Sequence, residues 1–381
     1  MIPRLDAVNR IMSVFSVHPI AALLGPRQCG KTTLARMISE REPSTYFDLE
    51  NPVDVRRLSA PMKVLEELSG LVIIDEVQRR PELFELLRVL VDQPRNQSRF
   101  LLLGSASPTL VKGVSESLAG RIGFVDLSGF NLWEVGTEHL NRLWVRGGFP
   151  RSFLETDEAS SMVWRDDFMR TFLERDIPQL GITIPAETLR RFWTMVAHYH
   201  GQVWNAAQFA RSLGTSENTA RRYLDILSGA YMIRILPPWY ENLRKRQVKA
   251  PKIYVRDSGI LHALLQLQTL ADLQGHPKIG PSWEGYALEH VIGGIQTRDA
   301  YFWGTHAGAE LDLFVMIKGK RYGFEFKYTD APGLSRSMHT AIEDLHLDHL
   351  WVIYPGHQDY ELNESVSVIS LEAILRIAKT F

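Results

Sequence analysis

"HPIAALLGPRQCGKTTLARMISE", residues 18–40, decides how the front of the chain is read. Ile20 to Leu24 form an apolar strand-like run, Gly25 to Gly30 a glycine-bounded loop, and a helix is expected from Lys31 or near it. The spacing G-x-x-x-x-G-K-T in a strand-loop-helix setting is the pattern that cradles a pyrophosphate on backbone N–H groups at a helix N-terminus. Gly25, Pro26, Arg27, Gln28, Cys29, Gly30, Lys31, Thr32 and Thr33 are therefore the candidate nucleotide-binding residues. Lys31 is placed to reach the β- and γ-phosphates, and the Thr32 hydroxyl to hold Mg2+. The plainer alternative is a chance turn.

A second stretch points the same way. "LVIIDEVQ", residues 71–78, is an apolar run ending in two carboxylates. Four apolar residues in succession indicate a strand covered on both faces, as in a parallel sheet. Asp75 would then lie at its C-terminal edge beside the phosphate loop as a Mg2+ ligand, and Glu76 could polarise the attacking water. A third apolar run, "FLLLGSAS" (100–107), ends in small polar groups, and Ser105 is the candidate sensor of a γ-phosphate. Arg121, in "SESLAGRI", could serve as an arginine finger in cis or from a neighbouring copy; an exposed surface ion pair is the simpler reading.

Composition bounds what surrounds this site. A chain of 381 residues suits two or three domains, and 45% hydrophobic with 23% charged residues belongs to globular proteins. The formal net charge of -1 leaves no global basic field, so nucleic-acid contact would have to come from a local patch. The single cysteine, Cys29, excludes a disulfide framework and a thiolate zinc cage and suits a reducing cytoplasmic setting. Polar breaks in the first 25 residues speak against a signal peptide, and no apolar run approaches the length of a membrane span.

In the middle, "VWRDDFMRTFLERDIPQLGI" (163–182) reads as an amphipathic helix broken at Pro178. The following "NAAQFARSLGTSENTARRYLDILSGAYMIRILPPW" (205–239) gives a short helix, a turn at Gly214, a longer helix capped by Thr215 or Ser216, and a strand from Tyr231 to Leu236. That order outlines a winged helix-turn-helix, in which Arg221 and Arg222 would face a nucleic-acid groove. A rigid spacer with solvated arginines fits equally. "LRKRQVKAPK" (243–252) carries Arg244, Lys245, Arg246, Lys249 and Lys252 without an acid, either a phosphate-tracking run or a solvated loop.

The tail raises a question of register. In "ELDLFVMIKGKRYGFEFKY" (310–328), a two-residue turn at Lys318 and Gly319 puts Asp312 opposite Glu325, whereas a turn at Gly319 and Lys320 pairs Asp312 with Lys327. The first register juxtaposes two carboxylates, which repel unless a cation or proton lies between them. The helix "PSWEGYALEHVIGGI" (281–295) offers Glu284 or Glu289 to complete a Mg2+ site, with Lys327 orienting water or offsetting phosphate charge.

Taken together, "GPRQCGKTTLA", "IIDEVQRRPELF", "GSASPTLVKGVSESLAGR", "FLERDI", "KAPKIYVRDSGI", "WEGYALEHVI" and "AELDLF" with "FEFKYTDAP" resemble the prokaryotic AAA-type ATPases that carry a C-terminal DUF4143 region. The resemblance covers nearly the whole chain. It implies an α/β fold in three parts: an additional-strand P-loop ATPase domain (1–150), a helical linker and winged helix (151–248), and a nuclease-like domain of the PD-(D/E)xK type (249–381). Within that pattern the acids fall on Glu284, Asp312 and Glu325 and the lysine on Lys327. Cys29 stands where an aliphatic residue is usual, which points to thiol sensitivity. The leading expectation is a Mg2+-dependent ATPase whose nuclease-like tail acts on or near DNA or RNA, with a homo-oligomer in view. The rival is an ATP-driven switch whose winged helix and inactive nuclease fold bind a protein or DNA partner.

Overall fold

The computed structural model describes residues 2–105, 117–241 and 246–378. The chain divides into two compact units, one of residues 1–130 with 229–231, the other of residues 131–228 with 232–381.

In the first unit, β1 (Ile20–Gly25), β2 (Ser44–Asp48), β3 (Gly70–Asp75), β4 (Ser98–Ser105) and β5 (Ile122–Asp126) form one sheet in the order β2-β3-β4-β1-β5. Every pairing is parallel. β4 thus stands between the phosphate-loop strand and the acidic strand, which is the additional-strand arrangement. The continuous apolar runs have the physical cause expected of them, because the inner strands β1, β3 and β4 are buried on both faces. Ile20, Ala22, Leu24, Val72 and Ile74 pack on one side with Leu83, Phe84 and Leu87 of the helix Glu82–Val91. Ala21, Leu23, Leu71 and Ile73 pack on the other with Ala7, Val8 and Ile11 of the helix Leu5–Phe15 and with Leu34, Ala35 and Ile38 of the helix Lys31–Ser39.

The second unit opens with helices. The helix Glu158–Thr171 continues through a π turn, Phe172–Asp176, into a short helical piece beginning at Ile177. The break expected at Pro178 is absorbed ahead of it, where a wider turn relieves the missing N–H and the ring clash with the preceding carbonyls. The helices Ala206–Leu213 and Glu217–Gly229 flank Gly214, which adopts φ +66°, and the Ser216 hydroxyl accepts from Thr219 N–H at 3.1 Å to cap the second. β6 (Gln202–Val203), β7 (Ile233–Leu236) and β8 (Lys252–Val255) make an antiparallel sheet with β8 in the centre.

A six-stranded mixed sheet follows, built from β9 (Ala300–Gly304), β10 (Glu310–Ile317), β11 (Lys320–Phe326), β12 (His349–Tyr354), β13 (Tyr360–Asn363) and β14 (Val366–Ser370) in the order β13-β14-β12-β11-β10-β9. Ile317 pairs with Lys320 and Leu313 with Phe324, so the turn residues are Lys318 and Gly319. Both have positive φ, +50° and +81°, as a type I′ turn demands. The register question is answered: continued by one residue, the pairing sets Asp312 against Glu325. Phe324 and Phe326 are buried on the face opposite Glu325. Among the described residues, no helix is long and apolar enough to cross a membrane.

Candidate functional site

At the C-terminal edge of the first sheet, three distant segments converge. Gly25 at the end of β1 lies in register with Ser105 at the end of β4. The sensor role expected of the Ser105 side chain lies outside the described residues. Gly30 takes φ +99° as the N-cap of the helix Lys31–Ser39 and supplies no side-chain cap, so the first helical N–H groups are left to the loop. Lys31 is buried, its Nζ donating to Gly25 O at 2.9 Å and Pro26 O at 2.8 Å. Thr33 and Gln28 are exposed, and Arg27 pairs with Glu50 at 3.4 Å. Cys29 is fully buried in the core beneath the loop, so the thiol sensitivity expected there has no exposed sulfur to act through.

The decisive contact runs between Thr32 and β3. Thr32 Oγ1 donates to Asp75 Oδ2 at 2.8 Å, and Tyr46 on β2 donates to the same oxygen at 2.5 Å. Asp75 Oδ1 accepts from Glu76 N–H at 2.9 Å. Burial, then the bond to Asp75, pushes the Tyr46 phenol far above its ordinary value. Glu76 follows with left-handed backbone angles (φ 55°, ψ 42°), and Gln28 in the loop has φ 62°; strained residues of this kind cluster at functional sites. Burial, partly offset by Lys31, raises the Glu76 carboxyl above its usual range, and Gln78 donates to it.

Arg121 lies elsewhere. Its carbonyl accepts from Ile20 N–H at the opening of β1, the edge of the sheet opposite Gly25. The length of the strand, roughly 16 Å, separates it from the loop, so the cis reading does not fit. Its guanidinium instead makes two bonds to Asp92, at 2.7 and 2.6 Å.

The second unit gathers the other expected residues. Glu284 in the helix Ile279–Ile295, Asp312 on β10 and Glu325 on β11 do come together, although they are largely buried rather than lining an open cleft. Asp312 Oδ2 accepts from Phe326 N–H at 3.1 Å. Burial and then Asp312 push Glu325 well above the ordinary carboxylate range. Burial works against the charge of Lys327, but Glu325, 2.8 Å away, and Asp312 outweigh it and push the amine up to about 12.

A residue from β8 holds the middle of this cluster. Lys252 is 2% exposed, with Nζ 3.2 Å from Glu284 Oε1, 3.4 Å from Asp312 Oδ1, and paired with Glu310 Oε1. Tyr254, two residues along the strand and on the same face, donates to Glu284 Oε1 at 2.6 Å. Burial and then Asp312 raise Glu284 to about 7. Among the described residues, no group of three or more His, Cys, Asp or Glu side chains is arranged to hold a metal ion. The Lys252 ammonium already engages two of the acids expected to hold Mg2+, Glu284 and Asp312, so the set present does not fit that ion.

Glu289, the alternative acid, is taken by Arg234 and by Arg256, the latter at 3.0 Å. Arg221 and Arg222 are exposed, with Arg221 3.9 Å from Glu217. Arg246 is exposed, whereas Arg244 and Lys245 lie outside the described residues. Lys252, read with them as a basic run, is interior. Period two in "KIYV", which puts Lys252 and Tyr254 on one face, was the available signal for it. Glu310 was legible in the same way, sharing a face with Asp312.

A five-stranded parallel sheet with this loop and Asp75 defines a P-loop nucleotide-binding protein. Residues 17–136 match the model of an AAA domain, residues 279–374 that of the domain of unknown function DUF4143, and residues 137–271 that of the domain of unknown function DUF8612. The chain is 50% identical over 375 residues to the uncharacterized protein Rv2008c of Mycobacterium tuberculosis (strain ATCC 25618 / H37Rv), spanning 98% of this chain and 85% of the relative. The same figures hold for the uncharacterized protein Mb2031c of Mycobacterium bovis (strain ATCC BAA-935 / AF2122/97). The chain belongs to the family of these proteins, which here joins an AAA domain to a C-terminal DUF4143 region. It is also similar to the Walker-type ATPase PABY2304 of Pyrococcus abyssi, with a TM-score of 0.49 and 16% identity over 70% of this chain and 96% of that one.

Proposed function

We propose that this protein is a Mg2+-dependent ATPase working as an ATP-driven switch, and that its nuclease-like C-terminal domain binds a protein or nucleic-acid partner without cleaving it. The observation that carries the first half is the 2.8 Å bond from Thr32 to Asp75. A hydroxyl and a carboxylate oxygen brought together beside a phosphate loop are the hard donors that Mg2+ takes. When bound, the ion would neutralise charge on the β- and γ-phosphate oxygens.

The roles of the chain's own residues follow from their surroundings. Backbone N–H groups of the 25–33 loop hold the phosphates, and Lys31 exchanges its two carbonyl partners for phosphate oxygens. Thr32 and Asp75 hold Mg2+, while Glu76 accepts a hydrogen bond from the attacking water and aligns it with the γ-phosphate. Ser105 is retained as the γ-phosphate sensor. Arg121 is retained as a finger offered to a neighbouring copy, which it could do by exchanging Asp92 for phosphate.

The rival reading of the tail is preferred because Lys252 fills the acid cluster. Exposed Arg221, Arg222 and Arg246 are the candidate contacts for nucleic acid. Two assays test the proposal. ATP turnover should appear with Mg2+, vanish with EDTA, and fall about a hundredfold or more in Lys31→Ala. DNA and RNA incubated with ATP and Mg2+ or Mn2+ should stay intact; cleavage by the wild type that is lost in Asp312→Ala would reinstate the nuclease.

A further inference from the structure

We infer that the Lys252 ammonium is the resident cation of the Glu284, Glu310 and Asp312 cluster, so that this cluster excludes divalent metal and becomes a metal site when that lysine is removed. Lys252 begins the central strand of its sheet, where pairing to Val203 and Leu236 fixes its backbone. Its side chain is almost wholly enclosed, and the Phe302 ring covers the ammonium at 5.7 Å. Three carboxylates from two elements meet that nitrogen, Glu284 and Asp312 from the interior and the half-exposed Glu310 from the edge.

Glu284 and Asp312, largely buried and close together, need a counter-charge, and the chain supplies one covalently. A bound Mg2+ or Mn2+ requires oxygens about 2.1 Å from its centre and would have to displace the ammonium into an enclosed interior. Lys327 is not equivalent, because it is half-exposed and pairs with Glu325 at the cluster's edge. The inference concerns only this cluster and stands whether or not the phosphate loop hydrolyses ATP.

Mn2+ binding to the full chain without nucleotide, followed by the electron paramagnetic resonance of the free ion, tests it. Wild type should show no Mn2+ site that depends on Asp312. Lys252→Ala should gain a single Mn2+ site, at least about tenfold tighter than any in wild type, and lose it again when Asp312→Ala is added. Should Lys252→Ala fail to fold in EDTA, refolding by Mn2+ supports the inference, and failure of Mn2+ to rescue it counts against it. A wild-type Mn2+ site abolished by Asp312→Ala, or a folded Lys252→Ala with no gain, overturns it.

Discussion

Glu76 carries the sharpest single-residue expectation. Its carboxyl is raised by burial, and orienting water requires the ionised form. Turnover should therefore fall on the acid side through a pKa above 4.5, the ordinary glutamate value, as an ATPase pH profile would reveal. A profile flat to that pH would remove Glu76 from the role. Lys31 acts differently. Its ammonium already rests on two loop carbonyls, so Lys31→Ala removes charge aimed at phosphate and should lower turnover about a hundredfold or more. The Lys31, Thr32 and Asp75 pattern was legible because its spacing is set by backbone geometry. Tyr46 was not, since a tyrosine in a strand has many uses and only the β2-β3 register brings it to Asp75.

Elements set the limits of the second site. The β10-β11 turn holds Lys318 and Gly319 at positive φ, a conformation that costs a β-branched residue about 1–2 kcal/mol. Gly319→Val should lower stability by about that amount in denaturant titration, and an unchanged midpoint would mean the turn does not set the register. The helix Ile279–Ile295 is tied to β7 and to the residue following β8 through Glu289. Burial would raise this carboxyl, but Arg234 and Arg256 outweigh it and hold it at about 2, below the ordinary 4.5. Because the folded value is depressed, the stabilisation is complete above pH 4.5 and disappears as pH falls towards 2. The depression corresponds to roughly 3 kcal/mol. Wild type should lose stability over that window more steeply than Glu289→Gln, as thermal melts would show. Hairpin alternation announced Asp312 and Glu325 as neighbours. It could not disclose Lys252, which reaches them from a separate sheet and a distant part of the sequence.

Across the whole molecule, the P-loop unit was the most readable part, because unbroken apolar strands and a glycine loop leave few alternatives. The tail's acids were readable as a set, but their purpose depended on what lay among them. An enclosed lysine in that position favours a closed charge cluster over a metal site, and with it the proposed reading of the chain as a switch. The proposed switch requires that nucleotide be held and then hydrolysed in the first unit. Single-turnover incubation with Mg2+ and ATP, quenched and scored for ADP, measures this most directly. Wild type should convert bound ATP to ADP, Glu76→Gln should retain it unhydrolysed, and Lys31→Ala should do neither. ADP formed at the wild-type rate by Glu76→Gln or by Lys31→Ala would contradict the account.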